Sequence, residues 1–169
     1  MTTIRDAAAH DARGIAQVHV RAWHKGYVDL MPKEVLDGLS VDNRERAWRE
    51  LIDGGESRTL VAEDDSAVAG FATFLRASRD DDAGPAMGEV VALYVDPAHW
   101  RHGIGAALLR HALRDLAYDG AEEVSVYVLE GNAPAIAFYE RAGFEADGAR
   151  APHEPSGRDQ LRYRIRLTR

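Results

Sequence analysis

The sequence contains no cysteine and only two lysines, Lys25 and Lys33. The absence of thiols excludes disulfides, thiolate catalysis and cysteine-ligated zinc. No stretch approaches the roughly 20 apolar residues of a membrane-spanning helix. The first residues carry charge where a signal peptide has an apolar run. We therefore expect a cytoplasmic protein with no membrane partner.

Basic residues are also fewer than acidic residues. The chain has 28 acidic and 21 basic residues, which gives a formal net charge of −7. Such a balance disfavours binding to nucleic acid or to an anionic membrane, and mildly favours a cationic small molecule. The seven histidines show no metal-ligand spacing, and Asp80-Asp81-Asp82 lacks the glycine and the spaced oxygens of a calcium loop. We expect no metal, and we interpret the aspartate run as a solvated turn.

The length and composition are those of one globular domain, covering residues 1–169. Hydrophobic residues make up 46% and charged residues 29% of the chain, the usual balance of a soluble protein with a core of its own.

Hydrophobic periodicity alternates between strand and helix along the chain. In the second half this order is strand, helix, strand, helix, which predicts an α/β fold with a mixed sheet covered by helices. The predicted strands are 3–5, 59–62, 67–74, 89–95, 124–128, 144–149 and 161–167, and the predicted helices are 10–27, one that begins after Ser40, 104–116 and 132–142.

The segment that follows the 89–95 strand has the features of an anion cradle. Gly103-Ile104-Gly105-Ala106 opens a long amphipathic helix, whose first N–H groups have no partner within the helix and lie at its positive end. Small side chains there allow a phosphate to approach the backbone. A tight turn without a ligand is the alternative. A P-loop and a dinucleotide fingerprint fit less well, because both lysines lie elsewhere and Leu108 stands where a third glycine belongs.

Two separate blocks of sequence carry a resemblance to a known family. They are GEVVALYVDPAHWRHGIGAALL and NAPAIAFYERAGF; the second matches an Asn-x-x-Ala-x-x-x-Tyr-x-x-x-Gly-Phe pattern at Asn132, Ala135, Tyr139, Gly143 and Phe144. With these blocks the chain resembles the GNAT superfamily of acyl-CoA-dependent N-acetyltransferases over nearly its full length. The resemblance implies a mixed central sheet of six or seven strands with a splayed central pair, flanked by about four helices.

The resemblance also implies a binding mode for acetyl-CoA, as co-substrate. The pyrophosphate would lie on the backbone amides of residues 102–106, and the pantetheine arm would pair with the backbone of Leu93 and Val95. The implied cofactor contacts are Leu93, Tyr94, Val95, Trp100, Arg101, His102, Gly103, Ile104, Gly105, Ala106, Asn132, Ala135 and Tyr139.

One position departs from the family pattern. The family usually has Arg or Gln three residues before the first glycine, where this chain has Trp100. An indole offers one N–H donor or plain packing, so we expect a weaker side-chain contact with the cofactor there. Arg101 could compensate from the next position, and the His102 ring N–H could contribute if it points inward.

Three residues are catalytic candidates under this resemblance. Glu89 would take a proton from the amine directly or through water; a solvated glutamate at the start of the strand is the alternative. The Leu93 amide would donate to the oxyanion from a bulged strand. Tyr139 would act as general acid toward the CoA thiolate; a core aromatic is its alternative. Without a bulge, Glu89, Val91 and Leu93 would share one face of the strand.

The acceptor pocket is the least patterned part of the sequence. By family correspondence its candidates are Trp23, Tyr27, Glu89, Tyr94 and His153. Trp23 could equally be a core anchor, and the loop near His153 could be disordered. Asn132 could serve as a helix N-cap, with or without a cofactor contact.

These observations predict an N-acetyltransferase that moves an acetyl group from acetyl-CoA to a primary amine by direct attack. The amine would belong to a small molecule or to a peptide N-terminus. A CoA-binding regulatory module with little catalysis is the alternative, while a nucleic-acid-modifying enzyme is disfavoured by the charge. A homodimer remains open.

Overall fold

The computed structural model describes residues 1–168, and its centre is one seven-stranded sheet with helices on both faces. The strands lie in the order β1-β2-β3-β4-β5-β7-β6. The strands are β1 Thr3–Asp6, β2 Arg58–Asp64, β3 Ala67–Leu75, β4 Met87–Val95, β5 Glu123–Leu129, β6 Glu145–His153 and β7 Arg158–Arg166. The helices are α1 Ala12–Gly26, α2 Lys33–Asp37, α3 Val41–Gly54, α4 Ile104–Tyr118 and α5 Ala133–Arg141.

The pairing confirms the predicted mixed sheet. β1 to β4 pair antiparallel in sequence order, whereas β4 and β5 pair parallel. Helix α4 connects these two strands, because a parallel pair needs a long crossover. Strand β7 then adds antiparallel to β5, and β6 forms the outer edge.

Each face of the sheet has its own apolar core. On one face, α4 and α5 cover a cluster that includes Leu108, Leu116, Val124 and Phe144. On the other face, α1 and α3 enclose Ile15, Val18, Trp48 and Phe71.

The predicted elements differ from the structure in two places. The five-residue helix α2 was not predicted, because it is too short to show periodicity. The terminal hairpin is longer than predicted: β6 runs to His153 and β7 starts at Arg158, so that the connecting turn is short. Pro152 is compatible with β6 because that strand lies at the edge of the sheet. Among residues 1–168, no helix is long and apolar enough to cross a membrane.

A buried histidine joins α1 to α3. Trp48 Nε1–H donates to His19 Nδ1 at 3.1 Å, so His19 carries its proton on Nε2 and is neutral. His19 is 7% exposed. Burial, assisted by the nearby Arg44, lowers its pKa from 6.5 to about 4. The protonated ring would be a buried charge whose Nδ1–H faces another donor.

We predict that His19 makes folding stability depend on pH. Between pH 6.5 and 4 the unfolded chain binds a proton at this residue that the folded chain does not. The contribution is therefore complete above pH 6.5, and about 3 kcal/mol of it is lost as the pH falls to 4. His19→Gln, which keeps an acceptor for Trp48, should flatten the pH dependence of the unfolding free energy measured by urea denaturation. The exposed His102→Gln is the matched control. Parallel pH curves for His19→Gln and the unsubstituted protein would contradict the assignment.

Candidate active site

The central strands separate because β4 carries a bulge. Pairing with β5 extends only from Met87 to Val90, and β4 then continues for five residues without it. On the other side, the register with β3 shifts so that Val91 has no partner between Val90 and Ala92. The extra residue turns the strand, and β4 and β5 diverge from this point, as the resemblance implied.

The bulge also changes which residues share a face. Val90, Leu93 and Val95 pack against the core under α4, whereas Ala92 and Tyr94 pack toward α1. The face shared by Glu89, Val91 and Leu93 in an unbulged strand is thus not formed, and Glu89 lines the same cavity as Tyr94.

Two residues of β4 direct their backbone groups into the gap, where no strand pairs with them. Asp96, which directly follows β4, lies opposite Ala69 of β3. Asp96 N–H donates to Ala69 C=O at 2.8 Å, so these two residues form a hydrogen-bonded pair of the ladder. Since such pairs alternate along an antiparallel ladder, Leu93 and Val95 direct their N–H and C=O groups away from β3, toward the side that β5 has left. The backbone of Tyr94 faces β3 instead, so any cofactor contact from Tyr94 comes from its side chain.

Helix α4 begins at the mouth of this gap with an open N-terminus. Gly103 is its N-cap at φ +79°, and no side chain caps the helix. The first bond within the helix is from Ala107 N–H to Gly103 C=O, at 3.0 Å. The N–H groups before Ala107 are free to hold an anion. The Ile104 side chain is buried in the core, so this residue can offer only its amide to a ligand.

The Trp100 indole lies beside the gap and uses its donor within the protein. Its Nε1–H donates to Val95 C=O at 2.7 Å, and the ring is 38% exposed. The indole N–H therefore acts as a donor, but its acceptor is the backbone of β4. At Gly105 an added Cβ would contact Phe138 and Val95 at 3.5–3.6 Å, which is an ordinary distance. A larger side chain there would therefore meet α5 first.

On the α1 side, the gap opens into a cavity of about 500 Å³. All five candidates for the acceptor pocket line it, although they come from three different segments of the sequence. Four further polar residues line the cavity that were not predicted to do so: Arg79, Asp80, Tyr127 and Gln160. Tyr127 could have been found from strand alternation, since Val126 and Val128 face the opposite core.

Glu89 is the buried acid of this cavity. Its side chain is 2% exposed, so the alternative of a solvated glutamate is wrong. Arg79 Nε and Nη2 both donate to Glu89 Oε2, at 2.9 and 2.8 Å. Burial raises the pKa of Glu89, and the Arg79 charge opposes that rise only in part. A carboxylate of this kind accepts a proton more readily than a solvated one.

Aromatic rings form the opposite wall. Tyr27 and Tyr94 hydroxyls are 3.5 Å apart, and Trp23 packs edge-on against Tyr27 with ring centroids 5.0 Å apart. Trp23 thus both lines the cavity and packs against neighbouring aromatic rings, so its two alternatives do not exclude each other. Burial raises the pKa of both tyrosines, so both are uncharged at neutral pH.

Tyr139 lies on α5, in the core that this helix shares with α4, and Asn132 directly precedes the helix. Tyr139 is 7% exposed and packs against Phe138 and Phe144. Burial raises its pKa, which keeps the hydroxyl protonated. Asn132 is the N-cap of α5, with its side chain accepting from Ala135 N–H at 3.4 Å. The N-cap alternative is therefore realised.

For the segment at His153 the alternative of disorder is wrong: His153 ends β6, and its Nδ1 lies 2.9 Å from Ser156 Oγ. The aspartate run is an exposed turn at residues 81–82, as predicted. It is not free, however, because Asp80 and Asp82 both accept hydrogen bonds from Arg162, a residue that is 5% exposed. Within residues 1–168, no group of three or more His, Asp or Glu side chains could hold a metal ion.

A split β4–β5 pair, an open helix N-terminus at one end of the gap and a buried acid at the other are the features that the resemblance to acyl-CoA-dependent acetyltransferases implied. The sequence profile of the Acetyltransferase (GNAT) family matches residues 15–144. The chain belongs to this family of acetyltransferases.

A curated relative is similar over most of its length. It is the N-acetyltransferase YuaI of Bacillus subtilis, 34% identical over 143 residues, which are 83% of this chain and 78% of that one. A mycothiol acetyltransferase of Kocuria rhizophila is 36% identical over 105 residues, or 62% of this chain. These residues cover 34% of the Kocuria protein, so the chain spans about a third of its length.

Among solved structures, the PaiA N-acetyltransferase of Thermoplasma acidophilum in complex with coenzyme A has a TM-score of 0.77. It is 19% identical, and the match covers 99% of both chains. At this identity the likeness concerns the fold.

Arg101 gives a stability prediction. It has φ +64°, a left-handed conformation that costs a non-glycine residue about 1 kcal/mol. Arg101→Gly should therefore raise the free energy of unfolding by up to about 1 kcal/mol. The same change at the exposed helical residue Arg110 should lower it by about as much. Chemical denaturation of both variants checks the pair, and a loss of stability in Arg101→Gly would contradict the strain.

Proposed function

We propose that this acetyltransferase uses acetyl-CoA to acetylate a primary amine by direct attack. The observation that carries the proposal is the end of the β4–β5 pairing at Val90. It leaves the backbone groups of Leu93 and Val95 without a strand partner, between the open N-terminus of α4 and the cavity that holds Glu89.

The residues present fit acetyl-CoA. Free amides at residues 102–106 suit a pyrophosphate, and the outward-facing groups of Leu93 and Val95 suit the amides of a pantetheine arm. Val95 C=O can accept a second bond besides that from Trp100, because a carbonyl oxygen has two lone pairs. The bound cofactor would supply an activated acetyl thioester. The coenzyme A in the PaiA structure supports this reading.

Each proton in the reaction has a residue to carry it. Glu89, ionised, takes a proton from the ammonium group, so that the nitrogen lone pair can form the new C–N bond. Leu93 N–H donates to the carbonyl oxygen while negative charge develops there. As the C–S bond breaks, Tyr139 gives its proton to the departing thiolate, and the second proton that the nitrogen must lose replaces it on the Tyr139 oxygen, directly or through water. The products are an amide and a free thiol, and no covalent bond to the protein is required.

The cavity supports an amine with an apolar body. Its wall of Trp23, Tyr27 and Tyr94 favours a cationic head group next to aromatic faces, and Glu89 provides the opposite charge. A volume of about 500 Å³ is ample for a small molecule or for the first residue or two of a peptide. Release of free thiol from acetyl-CoA with a panel of amines tests the function; a protein that binds acetyl-CoA but acetylates none would instead be a sensor.

We predict that Tyr139→Phe lowers kcat at least tenfold and changes the Kd for acetyl-CoA less than twofold. The hydroxyl contributes when the thiolate leaves, whereas the ring packing is retained. Tyr118→Phe, the same change at a residue that is 92% exposed, should leave both values unaltered. Equal kcat values in the two variants would remove Tyr139 from the mechanism.

We predict that ionisation of Glu89 produces the acid limb in the pH profile of kcat/KM. The base works only when deprotonated, so kcat/KM should fall as the pH drops through its pKa. Since burial raises that pKa, the fall should begin at a higher pH than for an ordinary glutamate. Glu89→Gln should lower kcat/KM on the order of 100-fold and abolish this limb. Glu140→Gln, on the exposed side of α5, is the control; an acid limb that persists in Glu89→Gln would assign the base elsewhere.

A further inference from the structure

A buried arginine outside the proposed mechanism is bonded to three carboxylates. Arg162 lies on β7 and is 5% exposed. Its Nε donates to Asp147 Oδ2 at 2.7 Å, and its Nη1 donates to Asp80 Oδ2 at 3.1 Å. Nη1 and Nη2 also donate to the two oxygens of Asp82, at 2.6 and 2.7 Å. A guanidinium cannot lose its charge in a protein, so its burial requires these partners.

The bonds attach a loop to the far half of the sheet. Asp80 and Asp82 lie in the segment 76–86, which connects β3 to β4, whereas Arg162 is about 80 residues further along the chain. Tyr127 of β5 adds a second attachment by donating to Asp80 Oδ1 at 2.8 Å. The loop is thereby held against β5 and β7, along one side of the cavity.

The attached loop also carries the residue that neutralises Glu89. Arg79 directly precedes Asp80, and its side chain is 69% exposed. An ion pair made by an exposed side chain contributes little by itself, because ordering that side chain costs entropy. The position of the loop backbone determines whether Arg79 reaches Glu89. Asp80 and Asp82 hold this backbone on the far side, through Tyr127 and Arg162, while Ser78 N–H holds it on the near side by donating to Met87 C=O at 2.8 Å.

We propose that Arg162 is a positioning residue for the acetyl transfer: through Asp80 and Asp82 it fixes the 76–86 loop so that Arg79 stays paired with Glu89. The inference rests on the proposed function, in which Glu89 is the base. If the loop is released, Arg79 moves away and Glu89 loses the positive charge that favours its ionised form. The acid limb of kcat/KM then moves to higher pH.

Other groups that face the cavity beside Glu89 do not offset this loss. Asp80 disfavours the ionised form of Glu89, and the tyrosines are neutral at the pH of interest. Burial lowers the pKa of His153, which is likewise uncharged near neutrality. The titratable and charged groups on the surrounding elements are Tyr27 from α1, Arg79 and Asp80 from the loop, Tyr94 from β4, Tyr127 from β5 and His153 from β6.

Two neighbouring aspartates give a matched test. Asp82→Asn weakens the bonds to Arg162, while Asp81→Asn removes the same charge from the same loop at an exposed position. Each substitution removes a negative charge near Glu89 and so favours its ionised form. If charge alone mattered, the acid limb would move to lower pH in both variants. The proposal requires Asp82→Asn to shift it the other way, by about half a pH unit, which lowers kcat/KM about threefold on that limb. Asp81→Asn should show no upward shift.

Arg162→Gln should give a larger upward shift of the acid limb. Arg5→Gln is its control for lost stability, since Arg5 pairs with Asp11 and Glu63 at 2.7–2.9 Å and does not line the cavity. If Arg162→Gln does not fold, the aspartate pair still decides, because Asp82 is 66% exposed and its replacement opens no cavity in the core.

A measurement without turnover separates this inference from the proposed function. The pKa of Glu89 can be followed by carbon NMR of its carboxyl group in the protein without substrates. A higher pKa in Asp82→Asn than in Asp81→Asn supports the positioning role, even if no amine is acetylated. Identical Glu89 titrations in the two variants overturn it, whatever the activity.

Discussion

One extra residue in β4 determines most of the geometry described above. Without Val91 in a bulge, side chains two apart would share a face, and Glu89 would lie on the side of Leu93, against the core under α4. With it, Glu89 and Tyr94 line the same cavity, while Leu93 and Val95 turn their backbone groups toward the gap. The same distortion ends the pairing with β5. This one bulge therefore opens the sheet and places the Glu89 side chain and the backbone groups of Leu93 and Val95 on different sides of the strand.

The two sides use different kinds of groups. On the side that we propose for the cofactor, the available groups are main-chain amides at residues 102–106 and the outward-facing backbone of β4. On the side that we propose for the acceptor, they are side chains: a buried acid, an arginine and a wall of tyrosine and tryptophan. Burial raises the pKa of Glu89, Tyr94 and Tyr139 and so favours their protonated forms. Of these three, only Glu89 has a cation beside it that opposes this effect.

This difference explains what the sequence could predict. A site built from main-chain amides requires small residues and a strand, turn and helix in that order, and both features can be read in the sequence. The α4 segment and the β4–β5 crossover were therefore predictable. Strand alternation would also have located Tyr127. The α2 helix is too short to show a period, and the extent of β6 depends on an edge position that permits Pro152. The aspartate run is the exposed turn that was predicted, but its contact with Arg162 was missed because that residue lies about 80 residues away, and nothing in the intervening sequence indicates the contact.

The loop between β3 and β4 shows why acceptor choice is hard to derive from sequence in such a fold. It has few apolar contacts to fix it, since its residues are mostly exposed and the cores lie under the helices. Its position depends instead on polar contacts: Ser78 N–H donates to Met87 C=O, and the buried Arg162 guanidinium requires the carboxylates that pair with it. Asp80 and Asp82 lie about 80 residues from Arg162, so no periodic signal in the sequence locates this part of the cavity wall.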